Sequence, residues 1–213
     1  MERMKRAPVC AGGAALVEPA GRVVPHPSER LLAVAAQLFC REGIHATGVD
    51  RILAEAGVAK ATLYRNFGSK EKLIAAVLRY EGEQWRHWFF DVLDERGVDG
   101  REALLAMFDI LGVWFRMDTY YGCAFINAVG EHDKTDPAVR ALALEHKRAI
   151  LQRIQAEAEA AGATDAALLT HWIALLIDGA IVTAMITRDG TCATLAKDAA
   201  SVLIDRMCPT SQS

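Results

Sequence analysis

No two cysteines in this sequence stand at the spacing of a metal or redox motif. Cys10, Cys40, Cys123, Cys192 and Cys208 are scattered over 213 residues without a CxxC pair. An odd, dispersed set argues against a disulfide framework and fits a reducing cytoplasm, where we place the chain. HExxH, a phosphate-binding glycine loop and a nucleophile elbow are all missing, so no catalytic residue and no cofactor is assigned. Cys123, His132 and Asp133 lie near one another, but His146 and His171 fall on separate predicted helices. Metal ligands must converge, so no metal site is expected. No segment alternates apolar and polar residues over a useful length, which excludes half-buried strands. The most apolar run, 172 to 187, is interrupted by Asp178 and is too short for a membrane span. Residues 1 to 27 open with basic residues but are broken by Pro8, Gly12, Gly13, Glu18 and Pro19. They form no sustained apolar segment and read as a disordered arm rather than an export signal.

What is present is helical and unevenly charged. The net charge is -3. Residues 28 to 80 carry eight Lys/Arg against five Asp/Glu, whereas residues 81 to 213 carry twelve against twenty. A basic segment on an acidic chain points to a polyanion partner for that segment alone. Ser28 stands where it could cap a first helix, in which Leu31, Val34, Ala35, Leu38 and Phe39 share one face. Gly43 ends this helix and Thr47 could cap the next, with Val49, Ile52, Leu53 and Ala56 inward. Gly57 supplies the freedom that a tight turn requires. A short third helix buries Val58, Leu63 and Phe67 and turns Lys60, Thr62, Arg65 and Asn66 outward; Ser69 then caps a long fourth helix. Further helices are predicted near 100–117, 121–131, 137–161, 165–188 and 191–207. The fold class is all-α.

Two short helices joined by a glycine turn and braced by a helix in front make a helix-turn-helix unit. Its second helix is the one offered to the major groove, where residues at its start reach base edges. Lys60, Thr62 and Asn66 have chemistry suited to bases, and the Tyr64 hydroxyl suits a phosphate. Ser69 and Lys70 set a helix start and a cation where the flanking phosphate would run. The run GVDRILAEAGVAKATLYRNFGSKEKLIAAVL, with Leu63, Tyr64 and Phe67 followed by Ser-Lys-Glu-x-Leu, resembles the DNA-binding signature of TetR-family transcriptional regulators over residues 28–78. That resemblance implies operator contacts from Thr47, Lys60, Thr62, Tyr64, Asn66 and Lys70, with Arg65 at a variable position that reads a base or sits near one. Ala59 replaces a serine common in the family, so one phosphate bond is not expected.

The resemblance also implies the organisation: an arm (1–27), a DNA-binding domain (28–75) and an effector-binding and dimerisation domain (76–213). Its function is then that of a dimeric regulator, a repressor by resemblance, released from a palindromic operator by a small effector. Helix 165–188 is apolar on nearly all sides, and one bundle cannot cover every face of such a helix. Leu175, Ile181 and Met185, with Leu195, Val202 and Leu203 on the next helix, are expected at a homodimer interface. Aromatic side chains outside the reading domain, together with Asn127 and Asp178 inside apolar runs, suggest a pocket for a hydrophobic or aromatic ligand. Trp114, Phe125, Asn127, Trp172 and Asp178 are its expected lining. The competing classes are a thiol- or metal-responsive DNA-binding sensor using Cys40 or Cys123, and a helical enzyme.

Overall fold

The computed structural model describes residues 26–132 and 137–209; the arm up to residue 25, Cys10 and Asp133 lie outside the described residues. Among the described residues the secondary structure is helical, without strands. In order the helices are α1 (Pro27–Glu42), α2 (Val49–Ala56), α3 (Lys60–Asn66), α4 (Lys70–Asp94), α5 (Gly100–Phe115), α6 (Ala124–Glu131), α7 (Pro137–Ala160), α8 (Ala166–Thr187) and α9 (Cys192–Met207). The chain divides into two compact units. Among the described residues, one holds 26–88 together with 123–132 and 137–144, and the other holds 89–122 with 145–209. The first unit therefore combines the helix-turn-helix with α6 and the start of α7, whereas the sequence had placed 76–213 together.

In the first unit, helical spacing builds one core. Leu31, Leu38, Ile52, Leu63 and Leu73 are fully buried in it, and Phe125, Ala128, Val139 and Leu142 join the same cluster from α6 and α7. Local details at two helix starts differ from the sequence reading. α1 begins one residue before Ser28, at Pro27, and its cap is His26, whose backbone N–H donates to Glu29 Oε2 at 2.9 Å. Proline suits that first position because its missing N–H would have had no partner there. Gly48, not Thr47, caps α2, and it does so without a side-chain bond. Gly57 closes α2 in the left-handed region at φ 61°, as the tight turn demanded. Ser69 does cap α4, its hydroxyl accepting from Lys72 N at 3.2 Å.

In the second unit, α8 and α9 pack on each other and on α5. Ala193, Ala196 and Ala200 are buried on α9, small side chains that let the helices approach closely. Trp114 meets Tyr120 edge-on with ring centroids 4.9 Å apart, and Phe115 lies 5.0 Å from the same ring. The buried Tyr120 hydroxyl donates to Ile181 O at 2.6 Å, which satisfies a polar group that would otherwise be costly to bury. α8 is 22 residues long, so it is long and apolar enough to cross a membrane, contrary to the estimate from residues 172–187. Leu169, Ile173, Ile177, Ile181 and Ala184 on this helix are nevertheless buried within the protein. Cys40 is disulfide-bonded. Cys123, Cys192 and Cys208 are free thiols.

Candidate nucleic-acid interface

α3 has seven residues, too short to be stable alone, and it stands because its inner face is held. Leu63 is fully buried, while Val58 and Phe67 are half-buried against the same core. With that anchor set, the 3.6-residue period turns Lys60, Ala61, Tyr64 and Arg65 outward. Tyr64 is 51% exposed, an unusual position for a large aromatic with nothing to cover it. Lys60, at the first position of α3, has its ammonium 3.7 Å from Asp50 Oδ1 of α2. Both side chains are exposed, so the pair is weak and easily exchanged for another anion.

The remaining sequence-predicted residues are less free. Thr47 is completely buried, and its hydroxyl donates to Gly43 O at 2.7 Å. Thr62 is buried too, where the sequence reading had turned it to solvent. Both threonine side chains thus lie largely out of solvent. Asn66 is exposed, but its amide Nδ2 donates to Thr62 O at 2.7 Å, one turn back. Lys70 is half-buried, and its Nζ donates to Ile44 O at 2.9 Å, bracing the turn between α1 and α2. The Glu71 carboxyl beside it is held below the usual carboxylate range, mainly by the Ser69 hydroxyl and then by its own backbone amide. The start of α4 therefore carries a capped N-terminus with a cation next to it, which favours an anion.

Sequence reasoning missed Glu131 entirely. From the last turn of α6 its Oε2 accepts from Ile44 N at 2.6 Å and from His45 N at 3.1 Å. His45 Nε2 bonds Glu131 O at 2.6 Å; the carbonyl can only accept, so this ring nitrogen carries the hydrogen. Contacts of this kind, nearly ninety residues apart in the chain, leave no mark on local spacing.

The expected effector and dimer residues are also dispersed. Phe125 and Asn127 belong to the unit with α1–α3, and Trp114, Trp172 and Asp178 to the other. Trp114 is buried on Tyr120 and Phe115, Trp172 is half-buried, and Asp178 is ion-paired with Lys147. A small crevice in the first unit is lined by Phe39, Cys40, Ile44, Val77, Asn127 and Glu131, among others, and Asn127 is the only expected residue on it. At the α8–α9 surface, Leu175, Leu195 and Val202 are 67–68% exposed, and Met185 and Leu203 are half-buried. Ile181 is buried inside its own unit and does not share that surface. Among the described residues, no group of three His, Cys, Asp or Glu is placed to hold a metal ion.

Residues 31–77, which span the helix-turn-helix, match the family described as bacterial regulatory proteins, tetR family. The chain is 43% identical over 61 residues to the HTH-type transcriptional activator FasR of Mycolicibacterium smegmatis, covering 28% of each protein. It is 43% identical over 49 residues to the HTH-type transcriptional repressor KstR2 of Rhodococcus jostii, covering 23% of this chain and 24% of that protein. The chain thus spans less than a third of the length of these two curated relatives. A solved TetR transcriptional regulator (sav143) of Streptomyces avermitilis is alike throughout: 31% identity, a TM-score of 0.70, 83% of this chain and 98% of that one. None of these likenesses is to an enzyme. With the signature on α2–α3 and the likeness carried through the helices that follow, the chain belongs to the TetR family of transcriptional regulators.

Proposed function

We propose that this protein is a cytoplasmic repressor that binds a palindromic DNA operator as a homodimer and leaves it when a small hydrophobic or aromatic effector binds. The observation that carries the DNA reading is the outer face of α3: Lys60, Tyr64 and Arg65 exposed over a fully buried Leu63. Lys60 and Arg65 suit base edges or phosphates, Tyr64 suits a phosphate, and Asn66 reads a base by giving up its bond to Thr62 O. Lys70 and the capped start of α4 suit the flanking backbone. Thr47 and Thr62 act from behind, by fixing the turn and the helix. Repression rather than activation follows the resemblance read in the sequence; the relatives include proteins of both kinds.

Dimerisation is supported by the apolar side chains left open on α8 and α9. Leu168, Leu175 and Ile186 on α8, and Leu195 and Val202 on α9, are exposed. Residues 168, 175 and 186 fall at i, i+7 and i+18 on α8, one face of a helix at 3.6 residues per turn. A second copy would bury these faces and set two reading helices on half-sites one turn of DNA apart. For the effector, the support is the aromatic content of the second unit and Asp178 within the apolar run of α8, paired with Lys147 of α7. Selection of duplexes from a random pool by the purified protein tests the whole reading. The expected product is an inverted repeat whose affinity falls steeply with salt. Enrichment of no sequence, or binding indifferent to salt, would overturn it.

A further inference from the structure

We infer that Glu131 of α6 is a positioning residue for DNA recognition, holding the turn that sets the approach of α2 and α3. The inference rests on the DNA-binding reading above and names a residue that touches no DNA. α1 ends at Gly43, which has φ 93°, and the chain must reverse through residues 44–46 before α2 starts. Among the described residues, no backbone carbonyl accepts from the amide of Ile44 or of His45. Here the amides of Ile44 and His45 both donate to one carboxylate oxygen of Glu131, and His45 closes the pair from its ring to Glu131 O. Two adjacent backbone N–H groups on one anion make a concave site that the charge strengthens. The fit is close: a Cβ added at Gly43 would lie 2.8 Å from Glu131 Oε2, in a backbone region that other residues avoid. On the other side of the same turn, Ile44 O accepts from Lys70 and Gly43 O accepts from Thr47.

The turn is therefore held by side chains of α4 and α6 as well as by its own Gly43 and Thr47. Glu131 is not needed to seat α6, since Phe125 and Ala128 are the residues of that helix buried in the core. Losing its carboxylate frees the turn while the core stays packed. α2 and α3 are short, and their direction follows from how they are entered.

The test uses full-length protein and the duplex selected by the wild type. Glu131→Ala is expected to weaken binding roughly tenfold with an unchanged salt slope, because no phosphate contact is lost. Amide exchange at Ile44 and His45 should become fast while Leu31 and Leu73 stay protected. Glu131→Gln, which keeps an acceptor oxygen, should restore binding to within about threefold of the wild type. If Glu131→Ala does not melt cooperatively, Glu131→Asp serves in its place, with the charge kept and one methylene removed. Binding within twofold of the wild type when the two amides have been freed would overturn the inference, as would weakened binding with both still protected. A wild type that selects no duplex would instead refute the DNA-binding reading itself.

Discussion

The outward faces of α3 and of α8 with α9 are both exposed, but they are exposed in opposite senses. On α3 the groups in water are an ammonium, a guanidinium and a phenol. They are well solvated and need no cover, so this face can wait for a polyanion. On α8 and α9 the exposed groups include Leu175, Ile186, Leu195 and Val202, 67–72% open to water. Each forgoes burial worth roughly 25 cal/mol per Å² of apolar surface. The contrast separates two kinds of association. One should weaken as counterions are added; the other should be nearly indifferent to salt.

The hardest blow to this contrast is a charge placed on α8, where position decides the outcome. Ile181→Asp puts a carboxylate in the core of the second unit and should cost more than about 4 kcal/mol, seen as loss of the cooperative melt. Leu175→Asp combined with Val202→Asp acts at exposed positions. That pair should leave the melt of each chain nearly intact while sedimentation at micromolar concentration shows a monomer. A dimer that survives both changes would move the interface elsewhere.

On the α3 side the expected effects are on binding and not on folding. Lys60→Ala should cost about 1–3 kcal/mol of affinity if the ammonium reads a base, with altered preference at one position of the selected site. Tyr64→Ala should weaken binding to all sequences alike. Both side chains are exposed, so thermal stability should move by less than about 0.5 kcal/mol. Titration of labelled duplex beside a melting curve distinguishes the two readouts. An unchanged affinity for Tyr64→Ala would count heavily against this face.

Behind that face, Thr47→Val removes the hydroxyl bonded to Gly43 O and should cost about 1 kcal/mol of stability. Its effect on affinity should be smaller than that of Tyr64→Ala and should come with the loss of stability, which would sort framework from contact. A Thr47→Val protein as stable as the wild type, yet poor at binding, would return this residue to the contact set.

The smallest effect concerns acid. The Glu42 carboxyl is held below its usual range, first by a hydrogen bond from Arg41, against a smaller opposing effect of desolvation, and then by Arg51 of α2. A carboxyl depressed in the folded chain stabilises it above the unfolded value, and that contribution disappears as pH falls through the folded value. The melting temperature of Glu42→Gln should therefore lie slightly below that of the wild type near neutrality and converge with it in acid. Parallel curves across that range would show that the ion pair adds nothing.

Much of the reading unit was legible because its signals are local. Gly57 at a positive φ, Leu63 inward and Ser69 as a cap all follow from spacing and residue chemistry within a few positions. Thr62 was misplaced because a small polar side chain fits either side of a short helix, and Asn66 gave no hint that it bonds back to Thr62 O. For the expected effector set, local signals say less. Aromatic content announces burial but not whether rings meet a ligand or one another, and Trp114 meets Tyr120 and Phe115.

By itself the sequence determined an all-α chain, the placement of a helix-turn-helix and an apolar excess on α8 and α9, since these depend on periodicity, turn chemistry and composition. Only the tertiary structure decided which side of α8 lies inside, because a helix apolar all round has no period to orient it; Ile181 went inward and Leu175 outward. It alone also grouped α6 with the reading helices and brought Glu131 to the amides of Ile44 and His45. Those outcomes depend on groups far apart in the chain, whose meeting is set by the packing of whole helices and not by any neighbour in sequence.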